Sequence, residues 1–199
     1  MNIIRDCRIR DATINDCDVI ARMINSASDD AVNYLLQGLK VEESPISILA
    51  AQLAREVHYS YANTIIGEFE ESTPIAMALS FPATGLMFNK DLLQSYSESR
   101  QQYLMYFCEN SINDSWHLDA IYIEDEFRGR GLGGRMLGKV KQRAQYYKFP
   151  VLQVFVFGTN KKAIRFYQSN NFIIDKEIDV AAHEFLKNMR PLLRMRCEL

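Results

Sequence analysis

Apolar and polar positions along this chain follow two different periods. Leu132, Met136, Val140 and Ala144 recur at every fourth residue, which places them on one face of a helix over 132–147. Val151 to Phe157 is a nearly continuous run of β-branched and aromatic residues, the pattern of a strand buried on both faces. Trp116 to Ile123 also reads as a strand, so 116–157 predicts a βαβ unit within a mixed α/β order. Upstream, Cys7 to Arg10 predicts a short first strand. Thr13 is a candidate cap for a helix carrying Ile14, Val19, Ile20, Met23 and Ile24. Ser44-Pro45 opens a second helical segment through Ile48, Leu49, Leu53 and Val57, since proline's missing N–H costs nothing in a first turn. Thr64–Phe69 and Ile75–Phe81 read as strands, and Glu70-Glu71-Ser72-Thr73-Pro74 between them predicts a hairpin. Asn160–Asn170 predicts a short helix. Phe172–Val180 and Met195–Leu199 predict closing strands. Residues 84–114 are the least regular; Leu92-Leu93, Tyr96 and Tyr103–Phe107 point to one or two helices there.

Composition narrows the class. The chain has 199 residues, 48% hydrophobic and 24% charged, the balance of a soluble globular protein, not of a disordered or collagen-like one. That length fits one domain, or one domain with an insertion. No apolar run approaches the roughly 20 residues that span a bilayer. Met1 to Cys7 holds no apolar h-region, so no secretory signal is expected. Cys7, Cys17, Cys108 and Cys197 form no CxxC pair. They predict neither a disulfide framework nor a metal site, and instead reduced thiols in a cytoplasmic protein.

Charge changes the picture more. The net charge of -2 hides ten basic residues between Phe127 and Ile174, a stretch without Asp or Glu. The rest of the chain holds 13 basic and 25 acidic residues. A local excess of this size implies a polyanion partner, whether a phosphorylated cofactor, a nucleic acid or a membrane surface, or else a solvated helix face. Within it, Phe127-Arg128-Gly129-Arg130-Gly131-Leu132-Gly133-Gly134 joins the predicted strand to the predicted helix. Glycines there permit positive φ and close approach of the backbone. The helix start adds free N–H groups and a partial positive charge, which together suit phosphate. A Walker A loop is excluded, because Gly134-Arg135-Met136 lacks Lys-Ser/Thr. Gly129-x-Gly131-x-x-Gly134 matches the dinucleotide fingerprint, but the next strand ends Phe155-Val156-Phe157-Gly158-Thr159 with no acid for a ribose. A nucleic-acid surface is disfavoured by the sparse aromatic residues beside the arginines.

A third pattern fits. Arg128-x-x-Gly131-x-Gly133, with Ile123 five residues before it, resembles motif A of the GNAT superfamily of N-acetyltransferases, Asp125 standing where a proline is common. Downstream, Asn160-x-x-Ala163-x-x-Phe166-Tyr167-x-x-x-Asn171-Phe172 resembles a second segment of that family, with Asn171 in place of a glycine. Asn tolerates the left-handed turn next best. The two motifs cover about 116–173, and the first 110 residues match only in element order.

The resemblance implies the acyl-CoA N-acyltransferase fold, α/β, with a twisted mixed β-sheet of six to seven strands flanked by helices. It implies a single domain over 1–199, with a helical insertion at about 84–114 between the third and fourth core strands. It implies transfer of an acetyl group from acetyl-CoA to a primary amine by direct attack in a ternary complex, without metal, the acceptor being a small amine or a peptide or protein amine. Coenzyme A is itself a small polyanion, which accounts for the basic stretch without nucleic acid or membrane. The backbone of Gly129, Arg130, Gly131, Leu132, Gly133 and Gly134 would hold the pyrophosphate. Arg128 and Arg130 would add phosphate contacts, and Lys161, Lys162 or Arg165 would meet the 3′-phosphate. Ile121, Tyr122 and Ile123 would pair with the pantetheine, and the Ile123 N–H would polarise the thioester carbonyl. Asn160, with Ala163 and Phe166 on its helix, would bond the pantetheine or only fix the helix start.

Tyr167 would protonate the leaving thiolate. Neutralising a free alkyl amine at pH 7.4 costs about 4 kcal/mol, so a base or water chain is needed. Asp119 and His117, alternating on one strand face, are the candidates; a structural ion pair and a surface histidine are the competing readings. His58 and His183 are expected on the surface. Glu68, Glu70 and Glu71 form either an acidic acceptor pocket or a charged, exposed strand face. The aromatic 96–107 segment either roofs the acceptor site, forms a homodimer face or packs in the core. A protein of this fold that binds acyl-CoA without catalysis, as a sensor or partner module, is the alternative function.

Overall fold

A computed structural model describes residues 7–39, 42–70, 73–86, 94, 96–180 and 182–199. In chain order its main elements are β1 (Arg8–Asp11), α1 (Cys17–Ala27), α2 (Ala31–Leu36), α3 (Pro45–Arg55), β2 (Thr64–Phe69), β3 (Thr73–Pro82) and α4 (Glu98–Glu109). There follow β4 (Ser115–Ile123), α5 (Leu132–Tyr146), β5 (Val151–Phe157), α6 (Lys161–Gln168), β6 (Ile173–Ile178) and β7 (Leu192–Glu198). The strands form one seven-stranded mixed sheet, ordered β1-β2-β3-β4-β5-β7-β6, flanked by helices. No helix among the described residues is long and apolar enough to cross a membrane.

The chain divides into two compact units. The first contains Met1–Phe81 and Leu118–Arg143. Here β1 pairs antiparallel with β2, Arg8 facing Glu68 and Asp11 facing Ile65. The predicted hairpin is present, with β2 antiparallel to β3 and a bulge between Gly67 and Glu68. Glu71 and Ser72 of its turn, like Met1–Asp6, lie outside the described residues. Ser44 caps α3, its hydroxyl accepting from the Ser47 N–H at 3.1 Å, with Pro45 in the first turn. Helix α3 ends at Arg55 because Glu56 is already extended, so Val57 falls outside it and is 76% exposed. Thr13 opens a 3₁₀ turn, Ile14–Asp16, ahead of α1. That displaces Ile14 from the apolar stripe, and it is 56% exposed.

The second unit contains Pro82–His117 and Ala144–Leu199. The start of β4 pairs in parallel with β5, Ser115 facing Val151 and His117 facing Gln153, as a βαβ unit requires. Strand β5 then pairs antiparallel with β7 along its whole length, and β6 covers the far side of β7. Leu152, Val154 and Val156 of β5 are buried, as are Leu192, Leu193 and Met195 of β7. The last strand therefore begins three residues before the expected Met195. Of the irregular 84–114 region, α4 is helical and Ala83–Leu86 forms a 3₁₀ turn; Leu92-Leu93 lies outside the described residues.

Candidate active site

In the first unit the chemistry gathers where β4 meets α5. Ile121, Tyr122 and Ile123 end the strand, half-buried. The Glu124 N–H donates to the Ile75 carbonyl at 2.9 Å, tying the strand end to β3. A 3₁₀ turn follows over Asp125–Phe127, and its Phe127 ring lies 5.5 Å from that of Phe69. Gly129 (φ +73) and Gly131 (φ +83) then take left-handed conformations, which any other residue reaches only with strain. A Cβ on Gly129 would meet nothing within 4 Å, so the turn presents bare backbone to open space. Buried Leu132 pins the helix start. Arg135 N–H donates to the Gly131 carbonyl at 3.2 Å. The amides of Gly129 to Gly134 donate to no carbonyl among the described residues. Such a row of free donors at a helix start is chemically an anion cradle.

The basic side chains divide in a way the sequence did not reveal. Arg128 is engaged by its own turn. Its Nε donates to the Ile123 carbonyl at 2.7 Å, its Nη1 meets Asp125 Oδ1 at 2.6 Å, and its guanidinium lies 5.3 Å from the centre of the Tyr122 ring. Arg135 donates to the Cys7 carbonyl, and Arg143 pairs with Asp11. Arg130 is exposed, with no ion pair among the described residues. The Tyr122 hydroxyl donates to Glu124 at 3.1 Å. Burial, with Glu124 adding to it, pushes that phenol above its usual pKa.

Asp119 sits half-buried on β4. Glu68 is not on an exposed strand face. It is 5% exposed and accepts from Arg10 Nε at 2.6 Å. The same guanidinium makes two 2.8 Å bonds to Asp16, which also accepts from the Thr13 N–H and hydroxyl. Arg10's bonds hold the Asp16 carboxyl down at about 2. Glu70 is exposed and Glu71 lies outside the described residues.

In the second unit His117 is 3% exposed, so it is not a surface histidine. Its ring centre lies 5.8 Å from that of Phe155, because alternation along β4 turns it away from Trp116, which stacks on Tyr147. Facing it in the ladder, buried Gln153 accepts from the Ile112 N–H at 2.9 Å and donates to Ser111. Asn160 caps α6, its Oδ1 accepting from the Ala163 N–H at 3.0 Å. On that helix Lys161, Lys162 and Arg165 are exposed, without ion pairs among the described residues. Tyr167 is 5% exposed, its ring 5.2 Å from Phe166 and 5.3 Å from Phe172. Asn171 takes φ 69, and the Phe172 N–H returns to the Tyr167 carbonyl at 3.0 Å, so asparagine does close the helix in a glycine's place.

His183 is also buried, 1% exposed. Its Nδ1 accepts from the Phe185 and Leu186 N–H groups, and its Nε2 lies 2.8 Å from the Ser99 carbonyl. Tyr103 and Tyr106 of α4 flank that ring, each 6.0 Å away. Tyr103 is buried and Phe107 packs against Phe155, so this aromatic segment contributes to the packing of its own unit. The burial of His183 and Glu68 gives no signal in the sequence, because their partners Ser99 and Arg10 are remote in the chain.

Comparison with known proteins agrees with this architecture. The profile described as the acetyltransferase (GNAT) family matches residues 57–172. Over 72 residues, the chain is 35% identical to spermine/spermidine N(1)-acetyltransferase of Bacillus subtilis (strain 168), covering 36% of this chain and 47% of that protein. The chain therefore spans about half the length of the curated relatives it matches. Among solved structures, the Drosophila melanogaster polyamine N-acetyltransferase, which forms N-acetylagmatine, superposes with a TM-score of 0.69 at 13% identity, over 98% of this chain and 100% of that one. A PaiA N-acetyltransferase from Thermoplasma acidophilum, in complex with coenzyme A, superposes with a TM-score of 0.58 at 15% identity, over 97% and 99%. At such identities the superpositions speak to the fold. With a profile match that takes in the glycine turn, Asn160 and Tyr167, the chain belongs to the acetyltransferase (GNAT) family.

Proposed function

We propose that this protein is a cytoplasmic N-acetyltransferase that moves an acetyl group from acetyl-CoA to a primary amine of a small cationic molecule. The observation that carries the reading is the glycine turn, with its free amides from Gly129 to Gly134 and the open space at Gly129. That cradle fits a pyrophosphate. Acetyl-CoA supplies a thioester already activated for acyl transfer. Exposed Lys161, Lys162 and Arg165 suit its 3′-phosphate, and Arg130 suits the pyrophosphate. The end of β4 at Ile121 to Ile123, residues that are half-buried, would offer the pantetheine a strand edge, and the Ile123 N–H would offer the thioester oxygen a donor. Tyr167 gives its hydroxyl proton to the departing sulfur. Asn160 retains its side-chain N–H₂ for the pantetheine, since its oxygen is spent on the cap.

For the acceptor, Asp119 takes the amine's proton, directly or through water. His117, buried as it is, serves better by shaping the strand than as first proton acceptor. The amine class rests on the spermine/spermidine and polyamine acetyltransferases among the relatives. It also fits a chain whose acidic residues all lie outside 127–174.

The test is release of free coenzyme A thiol from acetyl-CoA with spermidine, agmatine, a peptide N-terminus and a lysine peptide. The reading expects turnover with at least one polyamine, and a loss of about 10²-fold in kcat for Tyr167→Phe. The burial of both His117 and Tyr167 favours one other reading, an acyl-CoA binder without catalysis. Tight acetyl-CoA binding with no thiol release from any amine would select it.

A further inference from the structure

The contacts of Arg128 give it a different task from the phosphate contact that its position in the motif implies. The Ile123–Glu124 peptide is held at both ends. Its N–H donates to the Ile75 carbonyl at 2.9 Å. Its carbonyl accepts from Arg128 Nε at 2.7 Å. The guanidinium is fixed in turn by Asp125 Oδ1 at 2.6 Å and by the face of Tyr122, 5.3 Å from its centre. With Nε and Nη1 already engaged, a phosphate would have to compete for these donors.

We infer that Arg128 is a positioning residue: through Nε it locks the peptide that follows Ile123, and so sets the direction of the strand end. This deepens the acetyl-transfer reading and rests on it, because what the lock would hold in line is the Ile123 N–H. An oxyanion donor is effective only when pre-aimed, and losing one costs about 10²–10³ in kcat. Loosening one costs less. The strand end, not the anion cradle, is the target of the lock, and this separates it from a phosphate ligand.

Glutamine carries an N–H at the place of Arg128 Nε but no positive charge, whereas alanine has neither. Arg128→Ala is therefore expected to lower kcat by about tenfold at saturating acetyl-CoA, with the dissociation constant for acetyl-CoA within about threefold of the parent. Arg128→Gln should recover most of that kcat. A phosphate ligand would behave in the opposite way, both variants weakening acetyl-CoA binding about tenfold with kcat kept and the salt dependence of binding reduced; that result would overturn the inference.

A second readout needs no turnover. Amide hydrogen exchange at Glu124 should quicken in Arg128→Ala and return to the parent rate in Arg128→Gln, without any ligand. Equal exchange in all three proteins would also overturn the inference. Absence of turnover in the parent enzyme would count against the acetyl-transfer reading instead, leaving the exchange experiment to decide on the lock.

Discussion

A methyl group added to Gly158 would lie 2.5 Å from Pro191 Cδ and 2.9 Å from the Pro191 nitrogen and oxygen. The Gly158 N–H meets the Pro191 carbonyl at 2.7 Å, so the two backbones are in direct contact. Gly158→Ala must push them apart, and overpacking of this kind costs about 1–3 kcal/mol. Urea denaturation should show a lower midpoint, and an unchanged one would mean that Pro191 yields freely. Asp16 offers a second test at this scale. Its carboxyl, near 3.8 in a free chain, is held at about 2 by Arg10. The folded form therefore binds that proton less readily, so its contribution to stability is complete above about pH 4 and fades as pH falls through about 2. Asp16→Asn should cost about 2 kcal/mol at pH 6 and almost nothing at pH 2. A difference from the parent that does not shrink on acidification would contradict the ion-pair account. Neither residue announces itself in the sequence. Gly158 merely follows an apolar strand, and Asp16 looks like any polar residue in a first helical turn.

At the scale of elements, what was legible had long, uninterrupted patterns. The i+4 series from Leu132 and the apolar run Val151–Phe157 gave α5 within one residue at its end and β5 at both ends. Helix α2 escaped because it has six residues, follows two left-handed aspartates, Asp29 and Asp30, and has no side-chain cap. Helix α4 is held by a distant residue, His183. Since a carbonyl only accepts, His183 Nε2 carries the hydrogen toward Ser99, and Nδ1 is left to accept from Phe185 and Leu186. Removing the ring leaves three backbone groups to find partners, at about 1–3 kcal/mol for each one that stays buried and unpaired. His183→Ala should destabilise by about 2–4 kcal/mol and accelerate amide exchange along α4, while the β2–β3 hairpin keeps its protection. Uniform acceleration across the chain would argue against a local tether.

For the whole molecule, the informative number was the charge asymmetry, and the structure sharpens what it means. Of the ten basic residues between Phe127 and Ile174, Arg128, Arg135 and Arg143 hold the chain itself together. Arg130, Lys161, Lys162 and Arg165 remain exposed. The glycine turn was readable because it is made of backbone, and backbone demands show as glycines and a helix start at fixed spacing. The acceptor half depends on side-chain burial, which spacing does not report: Glu68 proved to be an internal ion-pair partner and His117 a buried residue. Replacing Lys161 and Lys162 together by Glu should weaken acetyl-CoA binding about tenfold or more, yet change binding of 3′-dephospho-CoA far less. Equal weakening of both ligands would remove these lysines from the 3′-phosphate.

The central claim, that the glycine turn serves acetyl-CoA, is tested most directly by melting temperature with acetyl-CoA, 3′-dephospho-CoA and NAD. A ligand at 100 times its dissociation constant adds about 2.7 kcal/mol, or roughly 5 to 10 °C for a chain of this size. The account predicts a rise of that order with acetyl-CoA, a smaller one without the 3′-phosphate and none with NAD. No rise with acetyl-CoA, or a rise with NAD alone, would contradict it.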